Sequence, residues 1–92
     1  MGKDELDVLI FALRYAIVRH TYAPQIVCDY IKKQIPRMSE DFRRQIIDEL
    51  GKMDRYHEWG DEYAKKAGLD LLHALMGAVD DAGQDKTNAS TN

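Results

Sequence analysis

The stretch LDVLIFALRYAIVRHTYAP, residues 6–24, decides the fold. At 100° per residue Leu6, Leu9, Ile10, Leu13 and Ile17 fall on one arc, extended by the ring of His20, which predicts an α-helix turning that arc toward a core. Val8, Phe11, Tyr15 and Val18 fall on nearly the opposite side. A helix that is apolar on two sides is a sandwiched helix. Either other helices of the chain cover both sides, or the second stripe meets another molecule. Val8, Phe11, Tyr15 and Val18 are therefore the expected homodimer interface.

The same helix confines its cations to narrow seams. Arg14 lies at the angle of Asp7 two turns earlier, and Arg19 lies beside Ala12 and Ala16. A half-buried guanidinium needs acceptors. Helix-end carbonyls, or carboxylates such as Asp48 and Asp70, are the expected partners. Arg14, Tyr15, Arg19 and Tyr22 then form either a polar network locking the helix or a patch that faces a partner or an anion, and Arg19 and His20 sit where a helix C-terminus favours cations.

Beyond the turn at 21–23, Pro24 suits the first turn of a second helix, with Thr21 as a cap nearby. That helix is expected to run to about Ile35, with Ile26, Val27, Tyr30, Ile31 and Ile35 inward and Gln25, Asp29, Lys32 and Lys33 outward. Pro36 ends it, because the residue before a proline is pushed out of helical geometry. Ser39, followed by Glu40 and Asp41, predicts the capped start of a third helix with Phe42, Ile46, Ile47, Leu50 and Met53 buried. Fraying is expected between Gly51 and Tyr56, then a connection YHEWG with Trp59 folded over the core. Asp61 caps a fourth helix whose inward arc is Ala64, Ala67, Gly68, Leu71, Leu75, Ala78 and Val79, its small residues admitting a close neighbour. The expectation is an all-α, compact four-helix domain over 1–82 with short connections and a flexible tail over 83–92, where apolar periodicity stops.

Totals narrow the function. The 92-residue chain has room for one small core. A single cysteine, Cys28, forms no internal disulfide, and the opening MGKDELDV lacks a signal-peptide pattern, so the cytoplasm is the expected compartment. The longest apolar run, VLIFAL at 8–13, is far shorter than the roughly 20 residues of a membrane span, and no membrane partner is expected. The net charge of −3 opposes bulk attraction to nucleic acid, yet residues 14–44 carry +4 and residues 51–92 carry −3.

No residue set announces catalysis, a cofactor or a metal. His57 and Asp61 have helical spacing, but Gly60 interrupts them, and a solvated acidic turn is the simpler account. Cys28, one turn into a helix, lacks the companions of a nucleophile and suits a core filler. The six glycines match neither phosphate-cradling fingerprint. What remains is a basic middle, Lys32, Lys33, Arg37, Arg43 and Arg44, which could line the edge where the second helix meets the third. It serves a protein partner or, as the alternative, nucleic acid, although Asp48 and Glu49 would face the phosphates.

Ala12-Leu13-Arg14-Tyr15-Ala16, then Arg19, then Thr21-Tyr22, resembles a motif of small helical proteins encoded by bacteriophages and prophages; this chain carries Val18 where that group tends to have glycine. The likeness covers the first half of the chain and loosely the WGDE region. It implies a non-enzymatic accessory protein that binds and blocks or redirects a host protein or ribonucleoprotein, including defence components such as CRISPR effectors. The partner-binding residues expected on this view are Arg14, Tyr15, Arg19, Tyr22, Lys32, Lys33, Arg37, Arg43 and Arg44. A third reading, a small ligand-binding or catalytic domain around Arg14, Tyr15, Arg19 and His20, would show as stabilisation by anionic metabolites.

Overall fold

Acidic first turns and one proline set where the helices begin. The computed structural model describes residues 2–19 and 23–91, with side chains through Ala78. Helix α1 spans Lys3–Ile17, α2 spans Pro24–Gln34, a single 3-10 turn covers Ile35–Arg37, α3 spans Glu40–Arg55 and α4 spans Glu62–Thr91. Asp4 and Glu5 open α1, and Glu40 and Asp41 open α3, each complementing the positive end of a helix. The Ser39 Oγ accepts the Phe42 N–H at 3.1 Å, and the Asp61 carboxylate accepts the Ala64 N–H at 2.8 Å, so both expected caps form. Pro24 sits in the first turn of α2 as expected, behind an N-cap, Ala23, that contributes no side-chain bond. Thr21, proposed as a cap, lies outside the described residues, as do His20 and Tyr22.

α4 makes its broadest contacts with α2 and α3, while α1 lies mainly on α2 and also touches α3 and α4. The core is one cluster. It takes Leu6, Leu9, Leu13 and Ile17 from α1, Cys28 and Ile31 from α2, Phe42, Ile46, Leu50 and Met53 from α3, and Ala64, Ala67, Leu71 and Leu75 from α4. Burying each large side chain contributes roughly 1.5–3 kcal/mol, the term that offsets the ordering of so short a chain. Among the described residues no charged or polar side chain is buried.

Several expectations shift. α2 ends at Gln34, one residue early, because Pro36 tightens the chain into the 3-10 turn. Ile26 and Tyr30 do not face inward: they are 72% and 55% exposed, and Cys28 takes the core position beside Ile31. Val18 leaves the outer stripe of α1 to pack, half-buried, against the core. α3 runs through Gly51 without stopping or fraying and ends at Arg55. There His57 takes a left-handed conformation (φ 54°), the Glu58 N–H reaches the Met53 carbonyl at 2.8 Å and the His57 N–H reaches that of Asp54 at 3.2 Å. That pair of bonds closes a helix whose carbonyls would otherwise be orphaned, with a histidine where glycine is usual. α4 is helical from Glu62 through Thr91, with side chains described as far as Ala78.

The connection after α3 locks α1 to α4. The Gly60 N–H donates to the Ile17 carbonyl at 2.9 Å, satisfying the end of α1. Trp59 folds back over the core, as expected, and its indole N–H donates to Asp54 at 3.1 Å. Gly68 is the small residue that admits it. A β-carbon on Gly68 would lie 2.9 Å from the Trp59 Cη2, within the space of the ring, and 3.2 Å from the Ile17 Cδ1.

Candidate interaction surfaces

Helix α1 aims Arg14 at the seam with α3, and the guanidinium meets two carboxylates there. Nε and Nη2 donate to one oxygen of Glu49 at 3.2 and 2.9 Å, and Nη1 donates to Glu58 at 3.2 Å. Partial burial pulls the Arg14 pKa down, but the Glu49 hydrogen bond and the charges of Glu49 and Glu58 outweigh it and hold the group above the usual arginine value. The acceptors expected from the sequence are helix-end carbonyls or carboxylates such as Asp48 and Asp70; carboxylates serve, but not those two. Asp48 instead pairs with Lys52 at 3.3 Å, and Asp70 with Lys32 at 2.5 Å. One residue of register decides it: Glu49 lies on the α1 side of α3, and Asp48 on the solvent side. Arg14 is thus a clasp between α1, α3 and the following turn.

Tyr15 and Arg19 belong to a different surface. The Tyr15 ring stacks on Phe11 with centroids 4.3 Å apart, and the Arg19 guanidinium lies 5.6 Å over the Tyr15 ring. The four expected partner residues of the opening segment therefore divide: Arg14 turns to α3, Tyr15 and Arg19 line the outside of α1, and Tyr22 is outside the described residues.

The basic middle divides as well. Lys32 bonds Asp70 across to α4 and also reaches Asp29 at 3.4 Å; the Lys32 hydrogen bond holds the Asp70 carboxyl below its ordinary range. Arg44 pairs with Glu40 at 2.7 Å, and Arg43 donates to the Met38 carbonyl at 2.8 Å. Lys33 and Arg37 remain exposed, and they do not stand alone. Ile26, Tyr30, Lys33 and Arg37 follow one another at intervals of four, three and four residues, a single outward line along α2 into the 3-10 turn. Ile26 and Tyr30 were missed as surface residues because an apolar side chain on a helix reads as core. The available signal was that Lys33 shares their angle.

Cys28 is buried beside Ile31, as expected of a core filler. Loss of solvent pushes its thiol up to about 12, with Lys32 opposing and Asp29 and Asp70 assisting. A disulfide reagent at pH 8 is therefore expected to modify the native chain about a thousandfold more slowly than the unfolded chain, because the thiolate is the nucleophile. Equal rates would place Cys28 at the surface. Only the unfolded chain ionises this thiol readily, so stability falls as pH rises from the ordinary thiol range toward 12. Among the described residues no group of three His, Cys, Asp or Glu side chains is placed to hold a metal ion, and no helix is long and apolar enough to cross a membrane. His57 and His73 are both exposed.

No protein family and no solved structure matches the chain. A stretch of it is similar to DNA-directed RNA polymerase subunit beta' of Aeromonas hydrophila subsp. hydrophila, 34% identical over 64 residues. That stretch is 61% of this chain and 4% of the polymerase subunit. The chain thus spans a small fraction of the length of the curated relative that it matches.

Proposed function

We propose that the protein is a non-enzymatic, phage-type accessory protein that binds an acidic surface of a host protein or ribonucleoprotein, such as a defence component of the CRISPR-effector kind, through the outer line of α2. One observation carries the reading: two large apolar side chains, Ile26 and Tyr30, stand in solvent in line with two exposed cations, Lys33 and Arg37. Apolar area withdrawn from water supplies affinity, an aromatic ring and an arginine are favoured anchors, and the flanking cations select an acidic rim. The local charge matters because the chain as a whole is acidic.

Affinity capture from host lysate tests it, wild type against Ile26→Asp combined with Lys33→Glu. Both sites are exposed, so the thermal midpoint should stay within a few degrees, while the captured protein is lost at least about tenfold. Undiminished capture would overturn the reading. Binding to random duplex DNA that falls steeply with salt would replace it with a nucleic-acid regulator working through α2 and α3. The polymerase likeness favours a second reading, in which the chain occupies the place of the similar β′ segment against a neighbouring polymerase surface; direct binding to purified host core polymerase would select it.

A further inference from the structure

α1 carries an outward line of its own, which adjoins the α2 line only at Tyr30. Asp4, Val8, Phe11 and Tyr15 recur at intervals of four, three and four and fall within about 60° of one another, opposite the buried Leu13 and Ile17; Arg19, two residues past the end of the helix, extends the line by lying over the Tyr15 ring. Four-three spacing is the seam of paired helices. Val8 and Phe11 are 65% and 57% exposed, so the apolar middle of this seam lies open. Part of the line is already ordered: Phe11 stacks on Tyr15 and Arg19 lies over the Tyr15 ring, which reduces what association must immobilise.

The two ends have opposite charge. Asp4, with Glu5 beside it, stands at the start, and Arg19 stands at the finish; among the described residues none of the three is in an ion pair. Turned end for end, the flanks of the line match each other, with the Phe11 ring set against a small residue. Asp4 falls opposite Arg19, Val8 opposite Tyr15 and Phe11 opposite Ala12, all about one point between residues 11 and 12. Self-matching about a point is the requirement of a twofold interface. A parallel pairing would instead set Asp4 on Asp4 and Arg19 on Arg19. Beside the acidic end lies a groove of about 300 Å³ with Asp4 and Glu5 on its rim and Val8, Leu9 and Tyr30 as its apolar walls. End-for-end pairing brings an arginine stacked on a tyrosine ring to that groove, matching both its charge and its apolar lining.

We propose that the outer face of α1 binds α1 of a second copy of this chain in antiparallel register, Asp4 of each protomer facing Arg19 of the other. Sedimentation of the intact protein over a range of concentrations should show its mass rising from 10.6 kDa to twice that value. Arg19→Asp alone, and Asp4→Arg alone, should each weaken association at least about tenfold, because like charges then face each other. Mixing these two variants should restore it, since every facing pair regains opposite signs. Phe11→Glu should abolish it with the helical circular dichroism unchanged, as the side chain is exposed. A species that stays at 10.6 kDa at every concentration overturns the proposal, as does a dimer indifferent to Phe11→Glu, or reversals that are not rescued on mixing. Ile26 and Lys33, the probes of the α2 line, do not line the α1 groove, so failure of one proposal is distinguishable from failure of the other.

Discussion

Leu71→Ala is expected to remove about 2–5 kcal/mol from the stability of the fold, because a fully buried leucine in a close-packed interior leaves a cavity that its neighbours fill only in part. For a domain of this size the thermal midpoint should fall on the order of 10–30 °C. Leu71 stands in α4, the helix with the broadest contacts to both α2 and α3, and so belongs to the part of the core where three helices meet. Met76→Ala on the same helix is the matched control. Its side chain is 45% exposed, and its removal should change stability by less than about 1 kcal/mol. Comparable losses at the two positions, measured by thermal or urea unfolding, would mean that α4 buries a different face.

Gly68→Ala should cost about 1–3 kcal/mol, although helix propensity alone predicts a gain of roughly 1 kcal/mol. The two effects compete at one atom. The new methyl would enter the space of the Trp59 ring, which the hydrogen bond to Asp54 holds in place, and would also lie 3.2 Å from the Ile17 Cδ1. Gly51 and Gly77 separate the effects, since a β-carbon at either meets nothing within 4 Å. Alanine there should stabilise the protein by up to about 1 kcal/mol. In a Trp59→Ala background the penalty at Gly68 should vanish. Urea unfolding of the four variants and the double variant reads all of this, and an alanine at Gly68 that stabilises as much as one at Gly51 would show that the indole does not rest there.

Helix starts and the main core were legible because each rests on chemistry local to a few residues. Ser39 and Asp61 cap where a hydroxyl and a carboxylate precede helical periodicity, and Leu6, Leu9, Leu13 and Ile17 declare a buried face by spacing alone. The surfaces were harder. On α2 the residues Ile26 and Tyr30 are as apolar as Ile31, and only the burial of Cys28 fixes which side of the helix is wet. The partner of Arg14 was beyond reach for a related reason. Choosing Glu49 over Asp48 requires the rotation of α3 against α1, and adding Glu58 requires the left-handed turn at His57, which no glycine marks. The basic middle looked like one patch because charge was counted along the chain; in space Lys32, Arg43 and Arg44 find acceptors on their own or neighbouring elements. What the spacing did expose was the outer stripe of α1, where Val8 and Phe11 stand open.

Trp59, the sole tryptophan, rests on Gly68 of α4, hydrogen-bonds Asp54 of α3 and adjoins the residue whose amide secures the last turn of α1. The molecule therefore contains its own unlabelled fluorophore at the joint of three helices. Detachment of any one of these three wets the indole and reddens its emission, so a single optical trace follows the docking of α1, α3 and α4.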